Sequence, residues 1–381
     1  MFDFALTPEL LALRDGVREF ARTNVIPIAE EGDRERRLVP EIATAFHEAG
    51  FVRPWFDQAR TSEGLVTAGA VIAEELGYAD PAYASYLMLP AFFNRIVLGY
   101  LSGAAKEKLL ADLEREHTVT SFAASERAAG SDFGALAVSA TPNDLGYTLS
   151  GRKEYSSNLR QASRVIIVAR TAPGAMGGLS WFLVPMDAEG VVIGDRWESL
   201  GMRAIDISPL DLNDVHVPLD HRLGEEGRGM WMFNEHLAQS RTGIAAMAVG
   251  IARRARDIVL DFGLHRRIYG DKLTKMQDYR FRIAEMEMEI AAARGLVGLS
   301  AQKSDAGLDH AKEASLAKLY AGQMVMRVTA EAVLMLGSVG YTGQTVVDKL
   351  MRDARHISIV EGPDPIHKEI VFANILRRGG Y

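Results

Sequence analysis

The chain has 381 residues, enough for two or three domains around a large core, and its 48% hydrophobic and 24% charged residues are ordinary for a globular protein. A net charge of −7 argues against nonspecific binding to nucleic acid or a membrane surface, which needs a basic footprint. The absence of cysteine excludes disulfides, thiolate nucleophiles, iron–sulfur clusters and Cys-based zinc sites.

The opening MFDFALTPELLALRDGVREF is charged and amphipathic, unlike a signal peptide. Within it Thr7-Pro8 reads as an N-cap with proline in the first turn, followed by Leu10, Leu13, Val17 and Phe20 at helical spacing. DRERRL (33–38) reads as a solvated helix face. TAGAVIAEELGY and AAKEKLLADLEREH continue the helical pattern, so residues 1–118 are expected to form an α-helical domain. The longest uncharged stretch, AYASYLMLPAFFN, contains a proline and is shorter than the roughly 20 residues a membrane helix needs. A soluble, cytoplasmic chain without membrane partners is the expectation.

Over residues 119–226 the period changes. RVIIVART, SWFLVPM, GVVIGD and LDLNDVHVP are short β-rich runs, and Val215 and Val217 alternate with Asp214 and His216 as in a half-buried strand. A small barrel or sandwich is expected there. From 227 to 381 long helices return. Phe281, Ala284, Met288, Ala291 and Leu299 share one face, as do Leu316, Leu319, Met326, Ala330 and Val333, which predicts an antiparallel, four-helix-type bundle. The fold class is thus α+β, with the domains in the order α, β, α.

There is no G-x-G-x-x-G, Walker loop, H-E-x-x-H or G-x-S-x-G. His265, His310, His356 and His367 are scattered and read as structural or exposed. Four stretches remain. FAASERAAGSD (122–132) puts small residues and two serines at the first β element. KEYSSN (153–158) sets an aromatic beside two hydroxyls, and HRRIYGDKLTKMQ (265–277) breaks a helical region with paired arginines. Arginine there is a dipole complement to a helix end or a partner for pyrophosphate. HISIVEGPDPIH (356–367) carries Glu361 to a Gly-Pro corner, either a surface turn or a general base held on a rigid turn.

Together these stretches resemble the acyl-CoA dehydrogenase family over essentially the whole chain. SERAAGSD resembles its flavin-loop motif, with Ser125 where Thr or Ser is usual and Arg127 replacing a proline. YSSN resembles its aromatic-Ile-Ser/Thr element, with Tyr155 for the usual tryptophan and Ser157 for the hydroxyl near flavin N5. HRRIYG and MQ match elements that reach the cofactor of a neighbouring subunit, through Arg266 and Gln277. LMLGSVGY resembles a following glycine-rich segment, and DKLMRDAR with Glu361-Gly362 matches the C-terminal signature.

The resemblance implies bound FAD, with Phe122, Ser125, Ser131, Tyr155, Ser157, Arg266, Gln277, Gly337 and Asp364 at the cofactor and Ser131, Arg241 and Gly362 at the substrate. It also implies a homodimer or homotetramer, and oxidation of an acyl thioester between Cα and Cβ. Glu361 would remove the α-proton while a hydride passes to flavin N5. In relatives whose base comes from a bundle helix it precedes a conserved arginine; here that arginine looks like Arg241, and Ser240 precedes it. Departures are Leu334 for a glutamine, Ser338 and Val339 for Gly-Asn, and Pro363 for a threonine that often touches the cofactor. Coenzyme A and an acyl carrier protein both stay open as the thioester's carrier, and a flavoprotein and oxygen as the electron acceptor. A flavin monooxygenase on the same fold is the alternative activity, disfavoured by Glu361.

Overall fold

The computed structural model describes residues 6–56, 64–115, 117–174 and 177–379. Six helices come first: α1 (Pro8–Phe20), α2 (Ile26–Glu35), α3 (Glu41–Glu48), α4 (Leu65–Ala79), α5 (Pro81–Tyr100) and α6 (Gly103–Arg115). Thr7 caps α1, its Oγ1 accepting the Leu10 N–H at 3.3 Å. Asp80 caps α5 by accepting the N–H groups of Ala82 and Tyr83 at 2.8 and 3.0 Å. Among the described residues no helix is long and apolar enough to cross a membrane.

Eight strands follow: β1 (Thr120–Ala123), β2 (Ser139–Asn143), β3 (Gly146–Ser157), β4 (Arg164–Arg170), β5 (Leu179–Pro185), β6 (Val191–Ile193), β7 (Ile207–Pro218) and β8 (Arg222–Leu223). They form one sheet in the order β6-β7-β3-β2-β4-β5-β8, with β1 added parallel to β4. Both faces of β4 and β5 are covered, which is why RVIIVART and SWFLVPM read as unbroken apolar runs. Ile166, Val168, Trp181 and Leu183 pack with Val97, Leu109 and Leu113 of the helices, whereas Val165, Ile167, Phe182 and Val184 meet Leu149, Leu210 and Val215 inside the curled sheet. Val215 and Val217 point inward and Asp214 and His216 outward, as their alternation predicts.

The remaining chain is α7 (Gly229–His265), the short hairpin β9–β10 (Arg267–Ile268 and Asp271–Lys272), α8 (Gln277–Asp305), α9 (Ala311–Leu336), α10 (Ser338–Tyr341), α11 (Val347–Ile357) and α12 (Asp364–Gly379). One apolar core joins α1, α4 and α5 to α7, α8, α9 and α11. A buried ionic joint ties three regions: Lys349 of α11 pairs with Asp80 at the start of α5 and, at 2.6 Å, with Asp353, whose Oδ1 accepts the Met202 N–H at 2.5 Å.

Three sequence expectations change. Phe281, Ala284, Met288 and Ala291 do not face the core; Phe281 is 56% and Met288 65% exposed, and α8 packs instead through Tyr279, Met286, Ile290, Ala293 and Val297. The helix carries two apolar stripes, and periodicity cannot say which one its own chain covers. On α9 the expected stripe is only half-buried beside a core of Ala317, Ala321, Met324, Val325 and Val328. DRERRL is not simply a solvated face either: Asp33 and Leu38 are buried, and Asp33 accepts from Arg352 at 2.7 Å.

Candidate active site

Glu361 follows α11 by four residues and stands in the left-handed region at φ 58°, with Gly362 at φ 102°. A non-glycine residue there stores on the order of 1–2 kcal/mol, so the surroundings must hold the turn. They do so through two consecutive carbonyls. Arg241 Nε of α7 donates to the Glu361 carbonyl at 3.2 Å. The Gly362 carbonyl accepts from Lys318 Nζ of α9 at 2.6 Å and from His367 Nε2 of α12 at 2.9 Å.

Burial pushes the Glu361 carboxyl above the ordinary carboxylate range, against the opposing pull of the Ser240 hydroxyl, the Arg241 guanidinium and the Lys318 ammonium. Desolvation likewise brings Lys318 down to about 8, and His356 and His367 down to about 4. His367 is therefore neutral near pH 7, its Nε2 proton committed to Gly362. The structural reading of His356 and His367 holds; what the sequence did not reveal is that His367 and Lys318 secure the Glu361 turn. Lys318 lies on α9, 44 positions before Gly362, and His367 on α12, and only folding brings both to one carbonyl.

Ser240 also lines a cleft between α4, α5 and α7. One wall is Val66, Gly69 and Ala73 of α4; another is Ala84, Ser85, Met88, Leu89, Phe92 and Arg95 of α5; the third is Gln239, Ser240, Gly243, Ile244 and Met247 of α7. A long apolar slot beside a raised carboxylate suits an acyl chain with an acidic C–H near the base.

The β residues gather elsewhere around the strand ends. Ser125 is half-buried past β1, its carbonyl accepting the Glu154 N–H at 2.8 Å, and Ser131 is exposed in the following turn. A register shift between Lys153 and Ser156 sets Tyr155 at φ 58° and turns its ring outward, 55% exposed and 5.8 Å from Trp197. The Ser157 carbonyl accepts from Ser121 Oγ at 2.7 Å. Among the described residues, the Ser156 hydroxyl and Asn158 Oδ1 are buried without a partner. An open aromatic, small hydroxyls and orphaned polar atoms fit the hydrogen-bonding edge of a flat heteroaromatic ring. Phe122 turns its ring into a cluster, stacked on Phe93 at 5.4 Å and edge-on to Trp181 at 5.2 Å. Asp364 accepts from Gln323 Nε2 at 2.9 Å at the start of α12.

Arg266, Gln277 and Gly337 are not brought to Glu361. Arg266 lies 25 positions beyond Arg241, at the far end of α7, which is about 38 Å of helix rise. Gln277 starts α8 and Gly337 ends α9, and these helices run antiparallel, with Arg282 on Glu331 at 2.6 Å near that same end. All three residues are exposed.

A helical–β–helical chain that holds a carboxylate on a strained turn, next to Ser240 of an apolar cleft, has the parts an oxidoreductase of acyl groups would use. The chain belongs to the acyl-CoA dehydrogenase family: the N-terminal domain model matches residues 7–116, the middle domain 121–215 and the C-terminal domain 227–376. It is 31% identical to cyclohexane-1-carbonyl-CoA dehydrogenase of Geobacter metallireducens, over 98% of this chain and 99% of that one. The structure of butyryl-CoA dehydrogenase from Megasphaera elsdenii matches with a TM-score of 0.93 and 29% identity, covering 98% of this chain and 100% of that one. The prolyl acyl carrier protein oxidase AnaB matches with a TM-score of 0.89 and 25% identity, covering 97% and 100%. Membership makes the protein an oxidoreductase acting on CH–CH bonds and indicates FAD as its cofactor.

Proposed function

We propose that this protein oxidises an acyl thioester between Cα and Cβ with Glu361 as the base that removes the α-proton. The observation that carries this reading is a half-buried carboxylate with a raised pKa beside Ser240 of the apolar cleft, on a turn clamped by Arg241, Lys318 and His367. Bound FAD supplies the hydride acceptor. Residues of this chain do the rest. Glu361 takes the proton; Arg241, Lys318 and His367 keep its turn fixed; the α4–α5–α7 walls exclude water and align the chain. The Glu361 backbone N–H is assigned to the thioester carbonyl, where it stabilises charge as the α-proton leaves. Ser125, Tyr155 and Ser157 are assigned to the flavin ring.

The remoteness of Arg266, Gln277 and Gly337 supports a homo-oligomer in which they serve a neighbour's cofactor. So does the apolar surface at that end, where Tyr269 is 95% and Leu334 70% exposed beside the outward stripe of α8. The likeness to a carrier-protein oxidase supports testing carrier-bound as well as CoA-bound substrates.

The test is the visible spectrum of the purified protein before and after anaerobic addition of saturated acyl thioesters, each offered on CoA and on phosphopantetheinyl carrier protein. Bleaching of the flavin band is expected, and the faster form identifies the carrier. A flavin that no thioester bleaches, with oxygen consumption coupled to hydroxylation, would replace this reading with the monooxygenase.

A further inference from the structure

Along α5 the residues facing the cleft recur at helical spacing: Ala84, Ser85, Met88, Leu89, Phe92 and Arg95. All but the last suit a hydrocarbon chain. Arg95 is half-buried, and among the described residues it has neither an ion pair nor a hydrogen bond; burial alone acts on its pKa, downward. Glu235, an acid on the facing helix, is already engaged by the Tyr100 hydroxyl at 3.2 Å. Burial lowers the pKa of its neighbour His236, against the pull of Glu235 and with the help of the Arg95 charge. A guanidinium held in a slot without a counter-charge costs stability unless a ligand brings one.

Its position along the slot narrows the ligand. Ser85 Oγ lies 3.8 Å from the Met247 sulfur, and the Tyr100 hydroxyl 3.1 Å from His236 Nε2, so α5 and α7 run antiparallel along the cleft. Arg95 therefore stands level with Gln239 and Ser240, at the end of the slot where Glu361 sits, while Met247 and Ala84 mark the apolar end. Glu361 is not among the charges acting on Arg95, so the two do not pair.

We propose that Arg95 binds a carboxylate carried by the acyl group itself, making the preferred substrate a short dicarboxylic acyl thioester. This rests on the acyl-thioester reading above and adds its substrate class. Arg95 offers a planar two-pronged donor to a planar two-oxygen acceptor, the pairing for which guanidinium is best suited. The same charge disfavours an acyl group bearing an ammonium.

Pantetheine thioesters of glutarate and of pentanoate have equal carbon number and differ by one terminal carboxylate. Their affinities for the FAD-loaded enzyme are measured by calorimetry, with anaerobic flavin bleaching followed in parallel. The wild type is expected to bind the glutaryl thioester at least about 10-fold tighter. Arg95→Met is expected to reduce that glutaryl-to-pentanoyl ratio by on the order of 10- to 100-fold, and Arg95→Lys to retain part of it. A wild type that prefers pentanoyl or binds neither overturns the proposal. So does a ratio that Arg95→Met leaves unchanged because both ligands weaken together, which would place Arg95 on the carrier arm or in the scaffold. Calorimetry does not depend on oxidation, so a carboxylate preference without bleaching would count against the dehydrogenase reading and leave the Arg95 assignment standing.

Discussion

Replacing Lys349 by methionine removes one charge from the joint between α5, α11 and the Met202 loop. The side chains of Lys349, Asp80 and Asp353 are only 6%, 2% and 0% exposed, so water cannot take over the role of the ammonium. Asp80 keeps the amides of Ala82 and Tyr83, and Asp353 keeps that of Met202, but both carboxylates lose their shared cation. Breaking a buried pair from one side costs about 3–5 kcal/mol, a large part of a typical stability of about 5–15 kcal/mol. Burial already raises the Asp353 carboxyl, and removing Lys349 raises it further. The folded state then binds more protons than the unfolded one above the ordinary carboxylate range. The deficit is accordingly full at neutral pH and shrinks as pH falls through the raised folded value. Urea unfolding of Lys349→Met at neutral and mildly acidic pH reads both effects. Adding Asp353→Asn to the variant removes one stranded charge and is expected to recover part of the loss. A neutral-pH deficit under about 1 kcal/mol, or a double variant no more stable than the single one, would refute the argument. Because Glu361 follows α11 by four residues, the single variant is also expected to slow flavin reduction.

Glu361→Gln keeps the size of the side chain and removes the proposed base; FAD content and thioester binding should persist while anaerobic reduction slows by on the order of 10³-fold or more. Fast reduction in that variant would mean that another group takes the proton. In the wild type the reduction rate should rise with pH through an apparent pKa above the usual carboxylate value of 4.5, because burial keeps Glu361 protonated longer. Lys318→Met removes a cation that favours the carboxylate, so this acid limb should move to higher pH; an unmoved or lowered limb in stopped-flow profiles would contradict the placement of Lys318. Arg266→Ala should lower the FAD-to-protein ratio and shift sedimentation toward smaller species, whereas unchanged cofactor content and mass would remove Arg266 from the cofactor site.

Much of the architecture could be read from period and punctuation. Thr7-Pro8 announced α1, the continuous apolar runs announced β4 and β5, and the Glu-Gly-Pro corner marked the turn where Glu361 stands. These are local properties: a cap, a strand's neighbours in the pleat and a positive φ each depend on residues a few positions apart. What covers a face is not local. The Phe281–Met288 stripe and the Tyr279–Ile290 stripe both have helical spacing, and only the packing of α7, α8 and α9 decides that the second is buried and the first left for another surface. Asp33 likewise looked solvated until Arg352, more than 300 positions later, met it. The site divides the same way. Sequence alone supplied a carboxylate on a constrained turn. Tertiary structure supplied Arg241, Lys318 and His367 on its carbonyls, the Ser240 wall and the uncompensated Arg95, because polar groups on separate helices come within reach of one turn and one cleft only once the chain has folded.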